Sequence, residues 1–248
     1  MDFLKKNPHE TACYTADHEN YPYGPRGKEE ISSLLISLMN KILIKTEPKI
    51  TVLACNTATI TSLSSLRQNF PQMPFVGTVP AVKPAAIACN NGKVGVLGTA
   101  RTIEEVNCLN LADKTCEIYG IAAPELVDFI ELRFDNSSEK EKTDIVRKYI
   151  KLFRTSNVDT LVLGCTHFLF LLEEFRREAK PYFEVFDSLA GITKRIEYLL
   201  DENGCLLRAE KNSSPSHQFF LTGADTSTAF CEKQALAAGF NLVHLNES

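Results

Sequence analysis

Hydrophobic and polar positions follow two alternating periods along almost the whole chain. Short apolar runs rich in β-branched residues predict strands at 12–16, 49–54, 74–77, 93–97, 159–164, 183–186 and 219–221. Helical patterns occur at 28–44, 58–68, 82–88, 103–111, 124–131, 139–153, 169–178, 191–200 and 227–238. Strands that alternate with helices favour an α/β fold, with parallel sheets that carry helices on both faces.

The same pattern predicts where the chain passes between two lobes. Prolines at 80 and 84 mark a first crossing, and the polar turn at 187–191 marks a return. We therefore expect a discontinuous first lobe of residues 1–79 plus 189–248, and a second lobe of residues 80–188. The first lobe would carry Cys55, and the second would carry Cys165.

Composition and charge narrow the functional class. Hydrophobic residues make up 44% of the 248 positions and charged residues 23%, which is ordinary for a globular protein. The net charge is −4 and no basic stripe is present, which argues against a nucleic-acid partner. No apolar run approaches the ~20 residues of a membrane span, and the first residues lack the apolar stretch of a signal peptide. We therefore expect a cytoplasmic protein without a membrane partner.

The eight cysteines are scattered, with no Cys-x-x-Cys pair. A zinc site typically shows paired spacing, and a disulfide framework is typical of short secreted chains. The pattern therefore indicates a reducing compartment, mostly buried thiols and no metal site.

Two cysteines stand apart because each ends a predicted strand. Cys55 precedes Asn56 and Thr57, and Cys165 precedes Thr166 and His167. Open α/β sheets place their chemistry at these strand ends. A helix N-terminus after Cys55 would favour a thiolate and a bound carboxylate, and a histidine near Cys165 can tune a thiol or carry a proton. Taken singly, each is also explained as a buried structural residue. Together, two thiols suit an enzyme that removes a proton from one side of a carbon and returns one on the other.

Three weaker candidates accompany these motifs. Backbone N–H groups of the turn at 22–24 can hold a carboxylate, although in isolation a tight turn without function is the better explanation. Thr99 and Thr102 follow a strand and can bind an anion, while helix capping by Thr102 is the alternative. Glu131 ends an apolar run, and composition alone favours its exposure to solvent.

Taken together, these motifs resemble those of the aspartate/glutamate racemase family. The matching segments lie at 21–24, 54–58, 95–99 with Thr102, 126–131, 163–167 and 187–188, in the family's order and over nearly the whole chain. The resemblance implies two doubly wound parallel-sheet lobes related by a pseudo-twofold axis. It further implies that L- and D-glutamate are interconverted without cofactor or metal, with D-glutamate supplied to peptidoglycan synthesis and so to cell-wall biogenesis.

The resemblance also implies residue roles. Cys55 and Cys165 would be the two acid/base residues, His167 would assist Cys165, and Glu131 would lie near the second thiol. Residues that would hold the substrate are Pro22, Tyr23, Gly24, Asn56, Thr57, Thr99, Thr102 and Thr166. The expected partner is a small molecule, glutamate, and a homodimer is left open.

The chain departs from the family pattern at its start. Family members open with a strand that ends in Asp-Ser-Gly, whereas residues 1–8 here resemble the helix that follows it. We therefore expect a gap in a parallel sheet, and either a start upstream of Met1 or a truncated, impaired copy. Two alternatives stay open: a related racemase that acts on aspartate or hydantoins, and a truncated non-catalytic relative that binds an acidic amino acid.

Overall fold

The computed structural model describes residues 2–108, 116–202, 208–210, 214–223 and 229–245. The strands are β1 (Cys13–Ala16), β2 (Thr51–Leu53), β3 (Phe75–Gly77), β4 (Lys93–Gly98), β5 (Glu117–Ala122), β6 (Thr160–Gly164), β7 (Glu184–Phe186), β8 (Gln218–Thr222) and β9 (Asn241–Leu245). The α-helices are α1 (Asp2–Lys6), α2 (Lys28–Lys45), α3 (Asn56–Asn69), α4 (Val82–Ala88), α5 (Ala100–Cys108), α6 (Pro124–Arg133), α7 (Glu139–Thr155), α8 (Leu172–Ala179), α9 (Leu189–Glu202) and α10 (Ala229–Ala237). Short 3₁₀ turns occur at Phe134–Asn136 and Thr166–Leu171.

The chain forms two compact units. One comprises Met1–Val52, Ser64–Val76 and Gly191–Ser248, and the other comprises Leu53–Leu63 and Gly77–Ala190. Their division differs from the predicted lobes because the segment that carries Cys55 belongs to the second unit. The compact units do not test the predicted lobes, and the lobe boundaries at 79/80 and 188/189 stay a prediction.

A parallel sheet in the order β5-β4-β6-β7 forms the centre of the second unit. Each residue of β6 is buried, as are five of the six residues of β4, which explains why these strands are continuous apolar runs. Helix α7 packs closely on this sheet at Gly95, where a Cβ atom would lie 2.7 Å from the ring of Phe153. The capping box of Ser138 and Glu141 begins that helix.

Two further sheets are present: β1-β8-β9, which belongs to the first unit, and β2-β3, whose residues are divided between the two units. Among the described strands, β1 pairs only with β8 and β2 pairs only with β3, so each leaves one edge unpaired. Tyr14 of β1 and Val52 of β2 are 46% and 36% exposed. An ion pair of 2.7 Å between Glu10 and Lys49 links the residues that precede the two strands. A gap between these strands within one parallel sheet stays a prediction.

The helix and strand predictions agree with the structure at most positions. All seven predicted strands are present, but β5 and β9 were not predicted. The sequence pattern did not predict β5 because Glu117 and Gly120 lie among its apolar residues. This strand lies at an edge of its sheet. The end of the helix predicted at 103–111 and the start of the one at 227–238 lie outside the described residues. Within the described ranges, no helix combines the length and apolar character of a membrane span.

Candidate active site

Cys165 lies at the carboxyl end of β6 and is 7% exposed. Its Sγ is 3.6 Å from Nδ1 of His167, and Nε2 of the same ring is 2.6 Å from Oε1 of Glu131. The three side chains are in contact in series, from the Cys165 thiol to the His167 imidazole to the Glu131 carboxylate. Such a carboxylate orients the ring and stabilises its cationic form.

The surroundings of His167 control its protonation. Burial lowers the pKa of His167, but hydrogen bonds to Cys165 and Glu131 outweigh burial and raise the pKa to about 10. The ring is therefore cationic at neutral pH, and its Nδ1 can donate a hydrogen bond to the Cys165 sulfur.

Glu131 lies in the last turns of α6, and from there its carboxylate contacts His167. Its side chain is 14% exposed, so the composition-based expectation of solvent exposure is wrong. Helix α6 turns Ile130 fully into the core, and the next position then faces His167. The tertiary partner, which no local pattern reveals, accounts for the burial.

Cys55 occupies the junction between β2 and α3 and is half-buried. Its thiol is hydrogen-bonded by the backbone N–H groups of Ala58 and Thr57 and by the Thr57 hydroxyl. Burial raises the pKa of Cys55 to about 11; the Ala58 N–H opposes this shift, and the nearby Cys165 adds to it. At neutral pH this side chain is therefore a neutral thiol, and the expectation that the helix N-terminus would favour a thiolate here is wrong, because burial outweighs the N–H groups.

One hydrogen bond connects the two cysteine segments directly. The Thr166 hydroxyl donates to the carbonyl oxygen of Ala54 over 3.3 Å, and each of these residues neighbours one of the cysteines. The electrostatic effect of Cys165 on the pKa of Cys55 also reflects their proximity. Two strand ends that are 110 residues apart in sequence thus meet within the second unit.

Three threonine hydroxyls form a cluster beside Cys55. Thr57 Oγ1 lies 2.9 Å from Thr99 Oγ1 and 3.5 Å from Thr102 Oγ1. The Thr99 hydroxyl also lies 3.1 Å from that of Thr102 and accepts a hydrogen bond from its backbone N–H over 3.2 Å. Thr99 therefore caps the start of α5, a role that the sequence had suggested for Thr102.

Asn56 is 2% exposed and donates from Nδ2 to the carbonyl oxygen of Thr78 over 3.0 Å. Its buried Oδ1 has no hydrogen-bond partner among the described residues. Because a buried acceptor without a donor is costly, this oxygen is suited to a ligand N–H group.

The turn at 22–24 belongs to the first unit. The Tyr23 hydroxyl donates to Asp17, whose other carboxylate oxygen accepts from the Thr222 hydroxyl over 2.8 Å. Asp17 therefore orders this turn, a structural role that the sequence pattern did not reveal. A role of Pro22, Tyr23 and Gly24 in substrate binding stays a prediction.

The described residues contain no group of three or more His, Cys, Asp or Glu side chains arranged to hold a metal ion. The ionisable groups brought together here are two thiols, one imidazole and one carboxylate. This set of groups can transfer protons between a bound molecule and either thiol.

The fold and these groups define an α/β protein with paired thiols at strand ends. The Asp/Glu/Hydantoin racemase family model matches residues 4–194, and the chain belongs to this family. The predicted fold class is confirmed as well: a structure of Escherichia coli glutamate racemase, in complex with L-glutamate and the activator UDP-MurNAc-ala, superposes with a TM-score of 0.83. That match has 26% identity and covers 98% of this chain and 91% of the other.

Curated relatives agree with this assignment. A glutamate racemase from Photorhabdus laumondii is 36% identical over 205 residues, which cover 81% of this chain and 70% of the relative. A glutamate racemase from Pectobacterium carotovorum is 35% identical over 192 residues, covering 75% of this chain and 66% of the relative. The matched part of the chain thus spans about two thirds of the length of these two relatives.

Proposed function

We propose that this protein interconverts L- and D-glutamate by a cofactor-independent, two-base mechanism, and so supplies D-glutamate for peptidoglycan synthesis. The observation that carries the proposal is the pairing of Cys55 with Cys165, joined through Thr166 and Ala54. Family membership and the relatives described above support glutamate as the substrate.

The surroundings of the two thiols differ, and this difference gives each a role. Cys165, beside the cationic His167, is the base that removes the α-proton, and Cys55 is the acid that returns a proton to the opposite face. The reverse reaction exchanges these roles, with Cys55 as thiolate and Cys165 as thiol. Bases on both faces remove any need to turn the intermediate over within the site.

Neutral donors supply the remaining stabilisation. The hydroxyls of Thr57, Thr99 and Thr102, which cluster at the N-terminal ends of α3 and α5, are suited to a substrate carboxylate. The buried Oδ1 of Asn56 is suited to the substrate ammonium group. Fixed dipoles of this kind stabilise the carbanion-like state that forms when a weakly acidic α-proton leaves.

The test is the formation of D-glutamate from L-glutamate, and the reverse, followed by chiral chromatography with pyridoxal phosphate excluded. Aspartate and hydantoins are assayed in parallel, and α-proton exchange is followed in D₂O. We expect glutamate to react fastest and solvent deuterium to appear at the α-carbon. Faster turnover of aspartate or a hydantoin would reassign the substrate within the family.

A second candidate is a non-catalytic relative that binds an acidic amino acid. The unpaired edge of β2 favours it, because β2 ends just before Cys55 and has a neighbour on one side only among the described strands. Saturable binding of glutamate without any α-proton exchange would establish this alternative. The cytoplasmic location and the homodimer remain predictions.

A further inference from the structure

A basic groove lies between α7 and α8 in the second unit. Its volume is about 680 Å³, which falls in the range of small-molecule sites. Five cationic side chains and one carboxylate line it: Arg147, Lys151, Arg154, Arg177, Lys180 and Glu178. This concentration of positive charge stands out in a chain with a net charge of −4.

The sequence spacing explains how the cations line up. Arg147, Lys151 and Arg154 recur at positions four and three residues apart on α7, so they form one short basic stripe on that helix. The sequence-based expectation that no basic stripe is present is therefore wrong for this helix. The stripe is about 10 Å long at a rise of ~1.5 Å per residue. The last turn of α8 and the residues that follow it supply Arg177 and Lys180 on the other side.

Neighbouring side chains hold the arginines in place. Glu178 accepts from Arg147 Nε over 2.6 Å and from Arg177 Nε over 3.1 Å. The Arg154 guanidinium lies 3.6 Å from the centroid of the Tyr182 ring. An anion that binds to such oriented guanidinium groups loses less free energy to side-chain ordering.

The charges of the groove are only partly neutralised within it. Glu178 offsets one of the five cations, and Lys151 and Lys180 have no ion-pair partner among the described residues. Guanidinium groups match phosphate oxygens in pairs, whereas ammonium groups act as point charges. A row of cations about 10 Å long fits a short chain of phosphates.

The groove is separate from the candidate active site. Helices α7 and α8 run back from the carboxyl edge of the parallel sheet, so their last turns lie towards the amino ends of β6 and β7. Arg154, Lys180 and Tyr182 belong to those last turns or follow them, whereas Cys165 follows the carboxyl end of β6.

We propose that this groove binds a small ligand through a chain of two or three phosphate groups. Inorganic oligophosphate and a nucleoside triphosphate share this chemistry. The exposed side chain of Tyr182 can distinguish a nucleoside triphosphate from inorganic oligophosphate, because its ring can stack with a base.

The test is isothermal titration of the full chain with inorganic triphosphate, and separately with ATP, at 150 mM salt with a chelator present. We expect saturable one-to-one binding with a dissociation constant of about 1 mM or lower. The paired substitution Lys151→Ala with Lys180→Ala should weaken binding about tenfold or more, because two charge-assisted contacts are lost.

The matched control is Lys83→Ala with Lys140→Ala, which removes the same charge from exposed positions of α4 and α7 outside the groove. It should change affinity less than about twofold. Circular dichroism checks that both variants are folded. If the wild-type chain shows no saturable binding, or if both variants weaken it equally, the proposal is wrong.

Comparing the two ligands assigns the source of the phosphates. Tighter binding of ATP than of inorganic triphosphate, with the excess lost in Tyr182→Leu, would indicate a nucleotide. Equal affinity for both ligands, unchanged in Tyr182→Leu, would indicate inorganic oligophosphate.

Discussion

Cys55 and Cys165 occupy matching positions at strand ends, yet their electrostatic surroundings are opposite. Neutral N–H and hydroxyl groups surround Cys55, and burial raises the pKa of Cys55 to about 11. Cys165 is more deeply buried, but it lies beside a histidine that Glu131 holds in its cationic form. Matching positions at strand ends therefore do not give matching electrostatics, because the neighbours in space determine the charge around each sulfur.

The largest effect should follow removal of either thiol. Cys55→Ser and Cys165→Ser should each lower racemisation by about 10³-fold or more, because each removes one proton-transfer group. Each variant should still exchange the α-proton of one enantiomer of glutamate. This should be one enantiomer for Cys55→Ser and the other enantiomer for Cys165→Ser. The measurements are chiral chromatography and deuterium incorporation.

Cys89→Ser and Cys231→Ser are the controls, since neither thiol takes part in the cluster around His167. Their activity should stay close to that of the wild-type chain. If Cys55→Ser or Cys165→Ser racemised glutamate as fast as the wild-type chain, the two-base proposal would be wrong.

Loss of the imidazole should have the next largest effect. His167→Asn should lower kcat by about 10²-fold in the direction that begins with Cys165 as base, and less in the other direction. Glu131→Gln should act in the same sense but more weakly, because the ring loses its carboxylate partner. Steady-state kinetics in both directions gives the decrease in kcat for each direction. Equal decreases in kcat in the two directions would contradict the assignment of His167 to Cys165.

A smaller effect should appear in thiol reactivity. At pH 7, iodoacetamide should alkylate Cys165 at least about tenfold faster than Cys55, although Cys165 is the more buried residue. Only a thiolate reacts, burial raises the pKa of Cys55 to about 11, and Cys165 lies 3.6 Å from the His167 ring. Peptide mass spectrometry over time measures both rates. The order should be lost in His167→Asn, and faster alkylation of Cys55 in the wild-type chain would overturn the comparison.

The smallest effect concerns stability as a function of pH. The pKa of His167 rises from 6.5 to about 10 on folding, so its stabilising contribution is complete below pH 6.5 and is lost as pH rises through 10. His167→Asn should therefore lower the free energy of unfolding by about 1–2 kcal/mol at pH 6. Urea unfolding at pH 6, 8 and 10 should show this difference shrinking, and a difference that grows with pH would refute a cationic His167.

Local pattern was sufficient for most of the fold. The apolar runs of β4 and β6 predicted buried parallel strands, and the motifs around Cys55 and Cys165 predicted thiols at strand ends. Strand β5 was missed because a glutamate and a glycine lie among its apolar residues, although other edge strands such as β1 and β7 were predicted.

The sequence by itself determined the α/β class, the two cysteine motifs and, through resemblance, the family. These properties depend on hydrophobic period and short-range order, which are local. Only the tertiary structure decided the burial of Glu131, the threonine cluster and the link from Thr166 to Ala54. Each of these joins residues 35 or more positions apart in sequence. The protonation of each thiol depends on such contacts because charge and burial are set by neighbours in space.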